Sequence, residues 1–108
     1  MPMPSGCILV GDIGGTNARF ALIDDGTCGP IGWIRGADYS VFPDAVRAFL
    51  AQRGNQSLYA ALLAVAGPVE NNRGRLTNRT WLIDGAELCD AFGLAWARLI
   101  NDFEATAW

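Results

Sequence analysis

Gly11-Asp12-Ile13-Gly14-Gly15-Thr16-Asn17 stands between two apolar runs, residues 7–10 and 18–23. That setting predicts strand, tight glycine turn, strand. A Gly-Gly-Thr-Asn turn can point several successive backbone N–H groups into one concavity, because glycine tolerates positive φ and carries no side chain to block a ligand. Such a concavity suits a phosphate. The carboxylate of Asp12 would repel a phosphate, so it makes chemical sense there with a divalent cation between the two. A plain hairpin with an exposed aspartate fits the same stretch, since short glycine motifs are frequent by chance.

With 108 residues the chain is one domain at most, and its 51% apolar and 18% charged content is that of a soluble globular protein. The net charge of −3, with no basic cluster, argues against nucleic acid as a partner. All eight basic residues are arginine, which excludes a Walker-type loop with its phosphate-binding lysine. Histidine is absent as well, which removes imidazole bases and the common zinc sites and leaves carboxylates as the general bases near neutral pH. Cys7, Cys28 and Cys89 are odd in number and far apart, so reduced, mostly buried thiols are expected rather than disulfides or a metal knuckle. Residues 1–6 lack a basic leader region, and the apolar run after them is too short for a signal peptide or membrane span. A cytoplasmic protein with a flexible start over residues 1–6 is the expectation.

Taken in order, residues 7–13 read as a strand apolar on both sides, hence central and covered on both faces. Residues 18–23 alternate as a second strand, Asp24-Asp25-Gly26 marks a turn, and residues 31–35 make a third. Pro43 and Asp44 open a helix that Gly54 closes, with Phe42, Ala45, Val46, Phe49 and Leu50 on its inner face. The apolar run 58–66, stopped by Gly67-Pro68, reads as a buried strand parallel to the first. Residues 69–81 are polar and irregular, with a hairpin tip at 71–74 and a short strand over 77–81. Asp84 with Glu87 forms a capping box for a second helix that ends at Gly93, and residues 97–100 form the last strand. Asn101-Asp102 then precede a further helix. The sum is an α/β lobe with a mixed five-stranded sheet and helices on its faces. In such a sheet the carboxyl ends of the parallel strands share the ligand-binding edge, where Asp12 and Asp102 both fall.

Four segments in this order resemble the bacterial glucokinase family, within the ribonuclease H-like, actin-like group of ATP-using folds. They are residues 9–19 around the glycine turn, Val65-Ala66-Gly67-Pro68-Val69, Leu76-Thr77-Asn78-Arg79-Thr80-Trp81, and Ile100-Asn101-Asp102-Phe103. The resemblance implies that Gly14, Gly15, Thr16 and Asn17 contact the ATP phosphates through backbone amides, while Asp12 holds Mg²⁺. It implies Asp102 as the general base that takes the proton from the 6-hydroxyl of glucose, Asn101 as a sugar ligand, and Thr77 and Asn78 as lining the sugar cleft. It further implies that residues 7–108 are the N-terminal lobe of a larger enzyme, with a second domain supplying the remaining sugar ligands and most of the adenine pocket, and with homodimer formation open for the full-length enzyme. The isolated chain is then expected to be inactive, with an apolar seam.

Chemistry alone is consistent with those roles. Phosphoryl transfer asks the protein for positioning and charge stabilisation, which amides and a metal can supply without lysine. The start of a helix favours negative charge, which suits a carboxylate that must accept a proton. Asn-Asp before a helix is also an ordinary capping pair, and Arg19 can serve either a phosphate or a structural ion pair. A non-catalytic sugar- or nucleotide-binding module of the same fold, or a kinase for another hexose, is the alternative.

Overall fold

The computed structural model describes residues 6–76 and 81–102. The expected flexible residues 1–5, most of the short strand expected over 77–81, Thr77, Asn78 and the helix expected from 103 lie outside the described residues.

Strand β1 (Cys7–Ile13) and strand β2 (Asn17–Asp24) form an antiparallel hairpin whose register runs from Ile8 opposite Ile23 to Ile13 opposite Ala18. Two short strands, β3 (Thr27–Cys28) and β4 (Gly32–Arg35), share the outer edge of β2. Helix α1 (Phe42–Gln52) leads into β5 (Leu58–Val65), which pairs parallel to β1 as expected. The last strand, β9 (Trp96–Asn101), pairs parallel to β5. The sheet order is β3-β2-β1-β5-β9 with β4 also on β2, so the third position of the expected five is filled by two pieces and the sheet has six strands.

A second small sheet was not foreseen. Strands β6 (Val69–Glu70), β7 (Arg73–Arg75) and β8 (Leu82–Asp84) form an antiparallel meander; the hairpin tip expected at 71–74 is the turn between β6 and β7, while the strands themselves were not expected. Its turn is built on Asn71 and Asn72, both at positive φ, which asparagine tolerates better than most residues. Helix α2 (Gly85–Phe92) follows directly: the Asp84 carboxylate accepts from the backbone N–H of Ala86 at 2.9 Å and of Glu87 at 3.4 Å, and Gly93 closes the helix at φ 64. The second Asp84 oxygen meets Arg73 Nε at 3.2 Å and so ties the cap to β7.

One face of the main sheet carries the core. Leu9 and Ile13 of β1, Phe20 of β2, Leu63 and Val65 of β5 and Leu99 of β9 join Phe42, Val46 and Phe49 of α1, Ile83 of β8 and Leu88 of α2 in a single buried cluster. At its centre Phe20 lies 6.0 Å from Phe42 and 5.4 Å from Phe49, and Phe42 meets Trp81 edge-on at 5.5 Å. Trp81 reaches that position with its indole N–H donating to the Tyr39 carbonyl at 2.9 Å, so the one polar atom of the ring is satisfied. The expectation that β1 is covered on both faces is not met by the described residues, because Ile8, Val10 and Asp12 are only half-buried. Among the described tryptophans, Trp81 is buried while Trp33 and Trp96 are exposed.

Of the cysteines, Cys7 alone is buried and Cys28 is exposed, so "mostly buried" holds for one of the three; all three are free thiols. Burial, with a smaller contribution from the charge of Asp24, pushes the Cys7 thiol up, and its S–H donates to Gln56 Oε1 at 3.0 Å. No helix among the described residues is long and apolar enough to cross a membrane.

The outer edge of β9 is occupied by a side chain rather than a strand. Asn72 Nδ2 donates to the Ala97 carbonyl at 2.7 Å, and its Oδ1 accepts from the Leu99 N–H at 2.8 Å, as a neighbouring strand would. Its own carbonyl accepts from the Gly85 N–H at 3.0 Å, joining the turn to the start of α2. Asn72→Ala should therefore lose about 2 kcal/mol in denaturant unfolding, because two part-buried backbone groups lose their partners. Gly85→Ala should act in the same direction, since its added carbon would lie 2.1 Å from Asn72 Nδ2.

Candidate active site

Parallel pairing puts Ile13, Val65 and Asn101 in one row across β1, β5 and β9. The glycine turn leaves β1 at that row, Gly67-Pro68 leaves β5 just beyond it, and Asp102 follows β9. Three widely separated segments thus meet at one sheet edge. Asp12 lies one residue before the row and Asp102 one residue after it. With strands about 4.8 Å apart and about 3.3 Å per residue, their Cα atoms are roughly 12 Å apart. That separation leaves room for a hydrated cation, a phosphoryl group and a hydroxyl between the two carboxylates.

The turn is held tightly. Gly14 N–H donates to the Asn17 carbonyl at 3.0 Å, and the Thr16 carbonyl accepts from the Gly36 N–H at 3.0 Å, which ties the loop to the chain after β4. The Gly14 amide is therefore engaged inside the loop. Neither Gly14 nor Gly15 has positive φ. The small size of Gly14 serves close approach instead: a carbon added there would lie 3.3 Å from the Asn17 carbonyl oxygen. Thr16 and Asn17 are exposed at the rim, and Gly15 is half-buried beneath them.

Asp12 projects from the face of β1 opposite the core, where its carboxylate is ion-paired with the Arg19 guanidinium, both side chains being 46% exposed. The pairing follows from the hairpin register, which sets residue 12 opposite residue 19. Arg19 was read as serving a phosphate or an ion pair, and the structure shows the ion pair. Counting outward from the glycine turn would have found its partner.

Asn101 donates from Nδ2 to the Gly67 carbonyl at 2.6 Å, and the Ala66 N–H donates to the Ile13 carbonyl at 2.9 Å. These bonds stitch the three strand ends together. Asn101 thereby gains a positioning role that sequence reading missed. Asp102 is half-buried and takes up helical conformation directly after β9. Thr77 and Asn78 lie outside the described residues.

Chemically the edge offers one accessible carboxylate at Asp12, a glycine turn beside it and a second carboxylate across the row. A single hard oxygen ligand fits Mg²⁺, which keeps several waters and is bound through one or two carboxylates together with substrate phosphates. A cation, the guanidinium of Arg19, already stands at that carboxylate. Among the described residues no group of three or more metal-ligating side chains forms a closed protein site.

A family model described as "Glucokinase" matches residues 9–108. The glucokinase of Caulobacter sp. (strain K31) is 46% identical over 104 residues, covering 92% of this chain and 31% of the relative. That of Sinorhizobium medicae (strain WSM419) is 40% identical over 102 residues, covering 93% and 30%. The crystal structure of glucokinase from an Antarctic psychrotroph superposes with a TM-score of 0.79 at 38% identity, covering 90% of this chain and 32% of that one. A solved structure from Cytophaga hutchinsonii, 20% identical with a TM-score of 0.65, shows the shared fold alone. The chain thus spans about 31% of the length of the Caulobacter relative.

A carbon added at Gly67 would lie 2.5 Å from the Arg75 carbonyl oxygen, and this glycine's own carbonyl anchors Asn101. Gly67→Ala should cost about 1–3 kcal/mol in thermal or denaturant unfolding, because backbone must move to relieve the overlap. An unfolding midpoint equal to the unsubstituted protein's would mean that the loop accommodates the methyl group without shifting.

Proposed function

Since the chain belongs to the glucokinase family, we propose that it forms the phosphate- and base-bearing lobe of an ATP-dependent glucose kinase, producing glucose 6-phosphate. The observation that carries this reading is the meeting of Asp12, the glycine turn and Asp102 on one edge of the parallel strands. A second domain outside residues 7–108 completes the sugar and adenine pockets, in keeping with the share of its relatives that this chain spans.

In this reading Gly15, Thr16 and Asn17 carry the phosphates of ATP along the rim of the turn, with Gly14 shaping the loop from within. Asp12 would hold Mg²⁺, which when bound neutralises charge on the phosphates. Asp102 accepts the proton of the sugar 6-hydroxyl as that oxygen attacks the γ-phosphorus and the bond to the β,γ-bridging oxygen breaks, releasing ADP. Asn101, fixed on the Gly67 carbonyl through Nδ2, orients the end of β9 and contributes to sugar binding. Thr77 and Asn78 belong to the sugar-binding side on the resemblance alone. The roughly 12 Å between the Cα atoms of Asp12 and Asp102 would leave room for the transferring group between the two carboxylates.

Asp102→Asn keeps the size of the side chain and removes its basicity. In the full-length enzyme this variant should lower kcat for glucose phosphorylation by about 10²–10⁴-fold, with KM for ATP within a few-fold, because general-base catalysis acts in the transition state. Turnover near that of the unsubstituted enzyme would remove Asp102 from the base role.

A further inference from the structure

Arg19 is placed between two partners. Its guanidinium is ion-paired with Asp12 across the β1–β2 hairpin. On the other side β4 sets Trp33 directly opposite it, and the guanidinium lies 5.4 Å from the centre of that ring. Trp33 is 63% exposed and contributes no burial to the core, so packing does not explain a tryptophan there. An aromatic face is, however, a good seat for a guanidinium. Beside the pair lies a hollow of about 350 Å³, lined by Val10, Asp12, Ala21, Cys28 and Ile31 with Arg19, which gives the side chain space to shift.

A divalent cation and a guanidinium compete for one half-exposed carboxylate, since like charges at such separations repel. We propose that Arg19 is a positioning residue that stands at Asp12 as counter-cation in the metal-free state, yields the carboxylate to the divalent cation, and is kept beside it by Trp33. Arg19 thereby aims Asp12 before loading and sets the metal concentration at which the site fills. This inference rests on the reading of Asp12 as the metal-holding carboxylate.

The test uses the full-length protein with a non-hydrolysable ATP analogue and Mn²⁺ as the probe. Water-proton relaxation reports the protein-bound ion, independently of turnover. Arg19→Gln should lower the half-saturating Mn²⁺ concentration by about three- to fivefold, the range a part-exposed ion pair can supply. Arg19→Lys, which keeps the charge, should stay near the unsubstituted value. In parallel, Mg²⁺ titration should change tryptophan emission in the unsubstituted protein, and Trp33→Phe should abolish that change. The Trp33 readout does not depend on any Arg19 variant folding. An unchanged or raised Mn²⁺ midpoint in Arg19→Gln overturns the proposal, the raised value meaning that Arg19 holds phosphate instead. An emission change that persists in Trp33→Phe also counts against it. Asp12→Asn separates the two levels: if it leaves the Mn²⁺ midpoint unaltered, the metal role of Asp12 itself fails, whereas a raised midpoint beside an unresponsive Arg19→Gln sinks only the counter-cation role.

Discussion

Parallel pairing of β1, β5 and β9 is the constraint on which the rest of the structure depends. Parallel neighbours require long crossovers, and here the chain between them forms the helices and the small sheet. All three strands then end at the same edge, so the loops that leave them must gather there. Residues as distant in sequence as Asp12 and Asp102 come to the same sheet edge by this rule alone. The chemistry proposed for the edge is available only because no strand in this trio is reversed.

Cross-links of modest strength turn that proximity into a fixed geometry. The Ala66 N–H to the Ile13 carbonyl, Asn101 Nδ2 to the Gly67 carbonyl, and the Gly36 N–H to the Thr16 carbonyl each join loops that belong to different strands. Each bond contributes about 1 kcal/mol net, yet together they limit how far any one loop can drift from the row. Beneath them the aromatic contacts of Phe20, Phe42, Phe49 and Trp81 hold α1 against the sheet and keep the strand ends in place. The opposite face of the sheet is different in kind, with Asp12 and Arg19 standing beside half-buried Val10 and exposed Cys28 and Ile31.

Long elements with strong punctuation were legible in advance. β1 runs over the expected residues 7–13 because its apolar run is bounded by glycine turns; α1 starts at Phe42 with Pro43 in its first turn, and α2 follows the Asp84 cap. The small sheet was not legible, since strands of two or three residues show no periodicity to read. β3 escaped for the same reason. At the site, residue types and their order pointed to phosphoryl chemistry, but the engagement of the Gly14 amide, the Asn101 tie to Gly67 and the Arg19 pair with Asp12 did not show. Those are matters of which partner each group finds, and one polar side chain has many possible partners along a sequence.

The sequence by itself determined the types of the long elements, the hairpin around the glycine turn, the parallel placement of the strand that starts at Leu58, and the exclusion of lysine and histidine chemistry within this chain. It could do so because hydrophobic period, glycine, proline and capping residues act locally. Tertiary structure decided which face of the sheet is covered, how the polar segment 69–76 folds onto β9 through Asn72, and that Arg19 stands at Asp12 with Trp33 beside it. These outcomes depend on strand registers and on contacts between segments far apart in the chain, and so they exist only once the sheet has formed.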